Sequence, residues 1–287
     1  MTNSPNSANK QITLDYCINK AIPEGSSLYY ATLFNKKNKE QIICLHALLN
    51  ELGDIINECS DPGVARIKFK WWQEEILRMK ESQSRHPVTQ QLQKHFIVDK
   101  QIIDVLNRVI ENFEQFIFFE QPDTLNSILS LFKSSYGEIW KLNIQKKDAD
   151  DLNLLNAFQE MGAIYHYLNC LQQPYIYITE SRCIIPASYI KHTSLLDLKF
   201  DKSTPSLEEQ NAIKQLFIDL TTNLYEIHNS LDKQYVSPLM HGLILNRIAI
   251  KTADEIRKEG VKFLKTGTSL TPIRKLWIAW YTNISTR

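Results

Sequence analysis

The sequence predicts an all-α protein of a single domain, and two observations carry that expectation. Apolar residues recur at three- and four-residue spacing over long stretches, the signature of helices with one buried face. Gly (8) and Pro (10) are few among 287 residues and fall at the breaks between those stretches, which favours long helices over a turn-rich β fold.

Taken in order, residues 1–12 are polar and Asn/Ser-rich and are expected as a disordered tail, with the domain running from 13 to 287. After Pro23-Glu24-Gly25 a patterned segment starts, with Ser26 or Ser27 as its N-cap. A polar break at 35–38 precedes a helix over 39–58, where Ile42, Ile43, Leu45, Leu49, Leu52 and Ile56 form the apolar face. Asp61-Pro62-Gly63 ends it and starts the next, about 64–82, with Pro62 near the first helical position. His86-Pro87 punctuates, and helices are expected over 87–96, 99–119 and 124–142, then a charged loop over 146–151. A helix over 152–173 is closed by Pro174. Residues 175–187 read as irregular or briefly extended, and helices follow over 205–231, 238–258 and 272–281.

Charge is balanced, 33 basic against 32 acidic residues, so no global field points to nucleic acid. Five cysteines without a close pair argue for reduced thiols rather than a disulfide framework or structural zinc. The N-terminus has no apolar core of a signal peptide, and the longest apolar stretches, such as 116–119, are far too short to span a bilayer. A cytoplasmic protein is expected, with peripheral membrane contact compatible with the sequence.

Several segments carry a resemblance. Ser26-Ser27-Leu28-Tyr29-Tyr30-Ala31 is followed by Lys36-Lys37-Asn38-Lys39-Glu40, then by His46 to Glu58, Asp61 to Arg66, Trp71 to Ile76 and His86-Pro87-Val88. Gly162 to Pro186 ends in Arg182-Cys183-Ile184-Ile185-Pro186, and Leu270 to Trp280 completes the series. In order and spacing these resemble the squalene/phytoene synthase family from Ser26 to Trp280. The resemblance implies the isoprenoid synthase fold, a helical bundle around a central cavity. It also implies head-to-head prenyl transfer, with Ser27 and Tyr30 in the stretch that lines the diphosphate pocket.

Such transfer begins by ionising an allylic diphosphate, whose negative charge is met by Mg²⁺ held on carboxylates and by nearby cations. The family places two aspartates four residues apart on each of two helices, so that each pair projects from one face. By the resemblance those positions are Gly53 and Asn57, then Gln173 and Tyr177, and none is acidic. The family's arginines near the two motifs correspond to Asn50 and Gln172, so metal ligands and cations are absent together.

Nearby acids are the metal-ligand alternative. Glu51, Asp54 and Glu58 share one stripe of the helix, but at about 100° per residue it is turned well away from the Gly53/Asn57 line. A solvated or capping acidic face is the other reading of this trio. His166, Asn169 and Gln173 form a neutral row that reads as a polar cavity wall or as a His-centred acid–base site. Arg182 reads as an anion ligand or a structural partner. Trp71 and Trp72 are expected to divide between core and groove, and His46 and His86 to pack or cap.

Gln172-Gln173-Pro174-Tyr175 is similar to a stretch in one branch of the family, the mitochondrial complex I assembly factor, which keeps the scaffold without the aspartates. The preferred expectation is a member without ordinary prenyl transfer that needs no cofactor. It acts as a scaffold or assembly factor for a protein partner, or holds an apolar or isoprenoid-like ligand in a largely apolar cavity. One alternative is an active transferase using Mg²⁺ on Glu51, Asp54 and Glu58. A third reading is a partner-binding module whose cavity is closed.

Overall fold

A computed structural model describes residues 5–35, 38–144, 151–231 and 239–285, with side chains from residue 11 onward. Among the described residues the regular elements are helices except for one two-stranded hairpin. It forms two compact units, Met1–Ile117 and Phe118–Arg287, within the span expected as one domain.

The first unit holds α1 (Pro5–Ala21), α2 (Ser27–Leu33), α3 (Lys39–Glu58), α4 (Pro62–Lys80), α5 (Pro87–His95) and α6 (Lys100–Glu114). The expected tail is the main correction here: residues 5–12 are the first turns of α1, and residues 1–4 lie outside the described residues. The reason lies downstream, because Thr13, Cys17 and Ala21 recur every four residues and are buried. Gln91 on α5 also donates to the Thr13 hydroxyl at 2.5 Å. A helix anchored over two turns propagates backwards at little cost, since nucleation is its expensive step.

α3 is the core of this unit, buried on all sides from Ile42 to Leu49. Asp61 caps α4 by accepting from the Val64 N–H at 3.0 Å, with Pro62 at the first helical position. The buried row Ala65, Phe69, Trp72, Ile76 and Met79 repeats at fours and threes and packs on α6. α6 ends at Glu114 and tightens into a 3₁₀ turn, Gln115–Phe118, so the helix expected over 99–119 is α-helical only in part.

The second unit holds α7 (Leu125–Phe132), a π turn (Lys133–Gly137), α8 (Glu138–Lys141), α9 (Leu152–Gln172) and α10 (Pro174–Tyr177). Strands β1 (Ile178–Thr179) and β2 (Arg182–Cys183) pair antiparallel, with Ile178 opposite Cys183 and Thr179 opposite Arg182. Then come α11 (His192–Lys199), α12 (Leu207–Ser230), α13 (Met240–Glu259), α14 (Phe263–Thr266) and α15 (Pro272–Ser285). The expected 124–142 helix is therefore interrupted by the π turn, and α11 and α14 were not anticipated.

α9 is the central helix of this unit, packed on α7, α8, α12 and α13. Asp151 caps it through the Leu154 N–H at 3.0 Å, and Ser206 with Glu209 closes a capping box on α12. Gly162 on α9 and Gly242 on α13 permit close approach to Trp140. A Cβ on Gly162 would stand 2.4 Å from the indole Cγ, and one on Gly242 would stand 2.9 Å from Cζ3. The expected loop over 146–151 lies outside the described residues apart from Asp151. Among the described residues no helix is long and apolar enough to cross a membrane.

Candidate functional site

In the first unit the site is built where the end of α1 meets the middle of α3. The Lys20 ammonium lies 2.5 Å from an Asp54 oxygen and 3.2 Å from a Glu51 oxygen. Tyr16 donates its hydroxyl to the same Glu51 carboxylate at 2.6 Å, and Asn50 donates to the Lys20 carbonyl at 2.8 Å. Asn50 thus closes the C-terminus of α1, an uncharged task in the place where the family resemblance calls for an arginine.

The electrostatics follow from this packing. Burial works against the Lys20 charge, but the hydrogen bond to Asp54 and the charge of Glu51 outweigh it and hold the lysine above its ordinary pKa. Burial, then the hydrogen bond to Glu51, pushes the Tyr16 phenol up to about 12. One ammonium is therefore shared by two of the three candidate metal acids and offsets one of their two charges, while Glu58 is exposed. Of the three acids on α3, Glu51 and Asp54 meet a lysine from α1. Lys20→Met is expected to cost about 1 kcal/mol in chemical denaturation, less in high salt, because the pair is only partly buried.

The two positions of the first motif do not join this cluster. Gly53 is partly exposed, and Asn57 is exposed in the last turn of α3. Ser27 opens α2, whose cap is Ser26 accepting from the Tyr29 N–H at 3.2 Å, and Tyr30 is buried. Lys36 and Lys37 lie outside the described residues.

Beside the lysine cluster sits His86. It caps α5 through Nδ1, which accepts from the Val88 N–H at 3.3 Å, and its ring meets Tyr16, Trp71 and Trp72 at centroid distances of 5.3, 6.0 and 4.7 Å. Trp72 is buried and Trp71 is 40% exposed, the division expected from the sequence. Burial lowers the His86 pKa, against the pull of Glu51 and Glu75. Fully buried His46 is driven by desolvation to a pKa of about 4, a packing residue rather than an acid–base group.

In the second unit the candidate residues cluster on α9 and just beyond it. His166 Nε2 accepts the Trp140 indole N–H at 3.1 Å, and its ring stacks on Tyr136 at 4.3 Å. Because an indole N–H only donates, the Nε2 lone pair is engaged and a neutral His166 carries its proton on Nδ1. That removes Nε2 from acid–base service. Gln172 donates to the Asn169 side-chain oxygen at 3.0 Å, and the Gln172 carbonyl accepts from the Thr268 N–H at 3.2 Å. Gly267, in the left-handed region at φ 65°, is needed there, since a Cβ would lie 2.5 Å from that carbonyl.

The second motif positions are parted by a break in the helix. Gln173 is the C-cap of α9, with φ −127° and ψ 58°, and Pro174 starts α10, which ends at Tyr177. The four-residue spacing projects two side chains from one face only along a continuous helix, and Pro174 prevents that here. Arg182 on β2 is partly buried; desolvation lowers its pKa and the nearby Tyr177 phenol opposes this.

Sequence reasoning missed Lys20 and Tyr16 because the segment before Pro23 was given no element. The spacing Thr13, Cys17, Ala21 was the available signal. Within either unit, among the described residues, no three His, Cys, Asp or Glu side chains converge to hold a metal ion.

Comparison with known proteins agrees with this scaffold. No curated protein matches the chain. A crystal structure of a dehydrosqualene synthase in complex with ligand is similar over 97% of this chain and 98% of its own, at 13% identity and a TM-score of 0.69. Squalene synthase HpnC from Alicyclobacillus acidocaldarius is similar over 88% of this chain and 95% of its own, at 11% identity and a TM-score of 0.66. At such identities the likeness establishes the helical isoprenoid synthase fold. The sequence profile described as squalene/phytoene synthase matches residues 23–274, nearly the whole described chain, and on that match the protein belongs to the squalene/phytoene synthase family.

Proposed function

We propose that this family member does not carry out ordinary Mg²⁺-dependent head-to-head prenyl transfer and works by binding, as a scaffold or assembly factor or as a holder of an apolar, isoprenoid-like ligand. The observation that carries the reading is the Lys20 ammonium seated between Glu51 and Asp54 at 3.2 and 2.5 Å. A divalent cation on these carboxylates has to displace a like charge already hydrogen-bonded there. The helix break at Gln173-Pro174 supports the same reading, because it removes the shared face on which a second pair of ligands depends. The similarity of Gln172-Gln173-Pro174-Tyr175 to the complex I assembly factor branch points to a protein partner as the object of that binding.

The test is incubation of the purified chain with farnesyl or geranylgeranyl diphosphate and Mg²⁺, followed by extraction and analysis of the products. Neither a C30 nor a C40 hydrocarbon is expected, nor release of inorganic diphosphate; formation of either product overturns the proposal. Calorimetry adds a second arm. Mg²⁺-dependent diphosphate binding that disappears in Glu51→Ala and Asp54→Ala variants establishes the transferase alternative instead.

A further inference from the structure

α15 presents its apolar side to the outside. Ile273, Leu276, Trp277, Trp280, Tyr281 and Ile284 recur at three- and four-residue spacing and so form one stripe of the helix. In an ordinary surface helix such a stripe is the buried one, yet these six residues are 43–80% exposed. The face that packs on α13 is made instead of Ala279, Thr282 and Asn283, all buried. Thr282 turns its hydroxyl back onto the Ile278 carbonyl at 2.7 Å, so its polar group is satisfied within the helix. α15 is 14 residues long, about 20 Å, and the stripe runs from its first turn to its last. Scattered apolar residues on a surface are ordinary, but a continuous face of this length marks a docking surface.

The occupant follows from what the stripe is made of and from the charge around it. Half of its residues are Trp or Tyr, which join an apolar ring to a polar N–H or O–H and concentrate where hydrocarbon meets lipid head groups. The two indoles pack together, with ring centroids 4.9 Å apart. α15 carries no acid and has Arg274 and Lys275 in its first turn. Arg247 and Lys251 line the groove beside Trp277 and Tyr281. Residues 240–285 hold eight lysines and arginines against three acids, in a chain balanced at 33 against 32. Two of those acids are engaged by these same cations, Glu255 by Arg274 at 2.7 Å and Asp254 by Lys251 at 3.3 Å, and the excess remains positive. A second copy of the chain is a poor match. Cations flank the stripe at both ends, Arg274 at one and Arg247, bonded to the Ser285 hydroxyl at 2.9 Å, at the other. Pairing two such stripes in either direction sets positive charge against positive charge.

We propose that the α15 stripe seats this protein on an anionic lipid surface, its indole and phenol rings at the level of the head groups and its flanking cations against lipid phosphates. The surface lies wholly in the second unit and stands whether or not the protein joins prenyl diphosphates.

The test incubates the full chain with vesicles of phosphatidylcholine alone and of phosphatidylcholine mixed with phosphatidylglycerol, read by flotation and by the blue shift of tryptophan emission. Binding to the mixed vesicles is expected, weakened by salt, with the neutral vesicles about tenfold weaker or more. Ile273→Gln combined with Trp277→Gln, at the two most exposed positions of the stripe, is expected to lower vesicle affinity about tenfold while leaving the melting temperature unchanged. Ile284→Glu, at the far end of the stripe, carries the same expectation and serves if the first variant does not fold. Arg274→Gln is expected to narrow the preference for the mixed vesicles. Absence of vesicle binding overturns the proposal, as does equal binding to both kinds of vesicle or an unchanged affinity in a folded stripe variant. A dimer in sedimentation that dissociates on stripe substitution, without vesicle binding, assigns the stripe to a second copy and overturns it as well.

Discussion

Trp140→Ala is expected to destabilise the second unit by about 3–5 kcal/mol, the range for removing a fully buried large aromatic. Trp140 has no exposed surface, and its ring lies 5.0 Å from Phe158, 5.5 Å from Tyr165 and 6.1 Å from His241. It is also clasped by α9 and α13 through Gly162 and Gly242, which have no side chain to fill the gap that truncation leaves. The surrounding helices therefore relax little, and the cavity persists. His166 loses its indole donor in the same step. Chemical denaturation followed by circular dichroism measures the loss, with Trp140→Phe as the control that keeps part of the packing and still drops the hydrogen bond. A loss under about 1 kcal/mol for the alanine variant means that Trp140 does not organise this core.

The second large effect is expected at Glu75, whose carboxylate is wholly buried in the first unit. One oxygen accepts from the Arg85 N–H at 2.7 Å, the His86 N–H at 2.8 Å and the Thr89 hydroxyl at 2.6 Å. The other accepts from Arg78 at 2.8 Å. This carboxylate ties α4 to the turn that starts α5, and through it to His86 and the aromatic cluster. Glu75→Ala leaves those donors without their acceptor and is expected to cost about 3–5 kcal/mol.

The pH dependence has a defined sign. Desolvation alone raises the Glu75 pKa, but the hydrogen bonds from His86, Thr89, Arg78 and Arg85 overcome it and the net shift is downward. A carboxylate with a folded pKa below its unfolded value of about 4.3 contributes stability above that pH and loses it as pH falls through the folded value. Wild-type stability is therefore expected to fall more steeply below about pH 4.3 than that of Glu75→Gln, which has no proton to take up. Parallel slopes in denaturation from pH 5 to 3 contradict this account.

Most of the helical architecture was legible in the sequence because it rests on periodicity and on end signals that act locally. Asp61-Pro62, His86-Pro87 and Pro174 mark the boundaries at which helices start or stop, since each acts through the φ and the missing N–H of proline or through a side chain two or three residues away. The π turn at Lys133–Gly137 was not legible, and neither were the short helices α11 and α14. Each spans eight residues or fewer, too short for a periodic pattern, and is held by tertiary contacts.

The candidate site divides in the same way. The sequence by itself determined that the positions the family resemblance assigns to the two motifs, Gly53, Asn57, Gln173 and Tyr177, carry no carboxylate, and that a proline stands within the second. It also placed Glu51 and Asp54 on one stripe of α3, because helical geometry dictates which residues share a face. Only the tertiary structure decided what that stripe meets. Lys20 stands 34 residues before Asp54 and 31 before Glu51, and no local rule connects them; the packing of α1 on α3 brings the ammonium to both. The Asn246 amide is the converse case, a polar residue on an otherwise patterned helix whose lack of a partner appears only once α12, α13 and α15 have closed around it. Hydrogen bonds and ion pairs between distant segments depend on distances that no spacing along the chain encodes, and in this protein those are the interactions that set the chemistry.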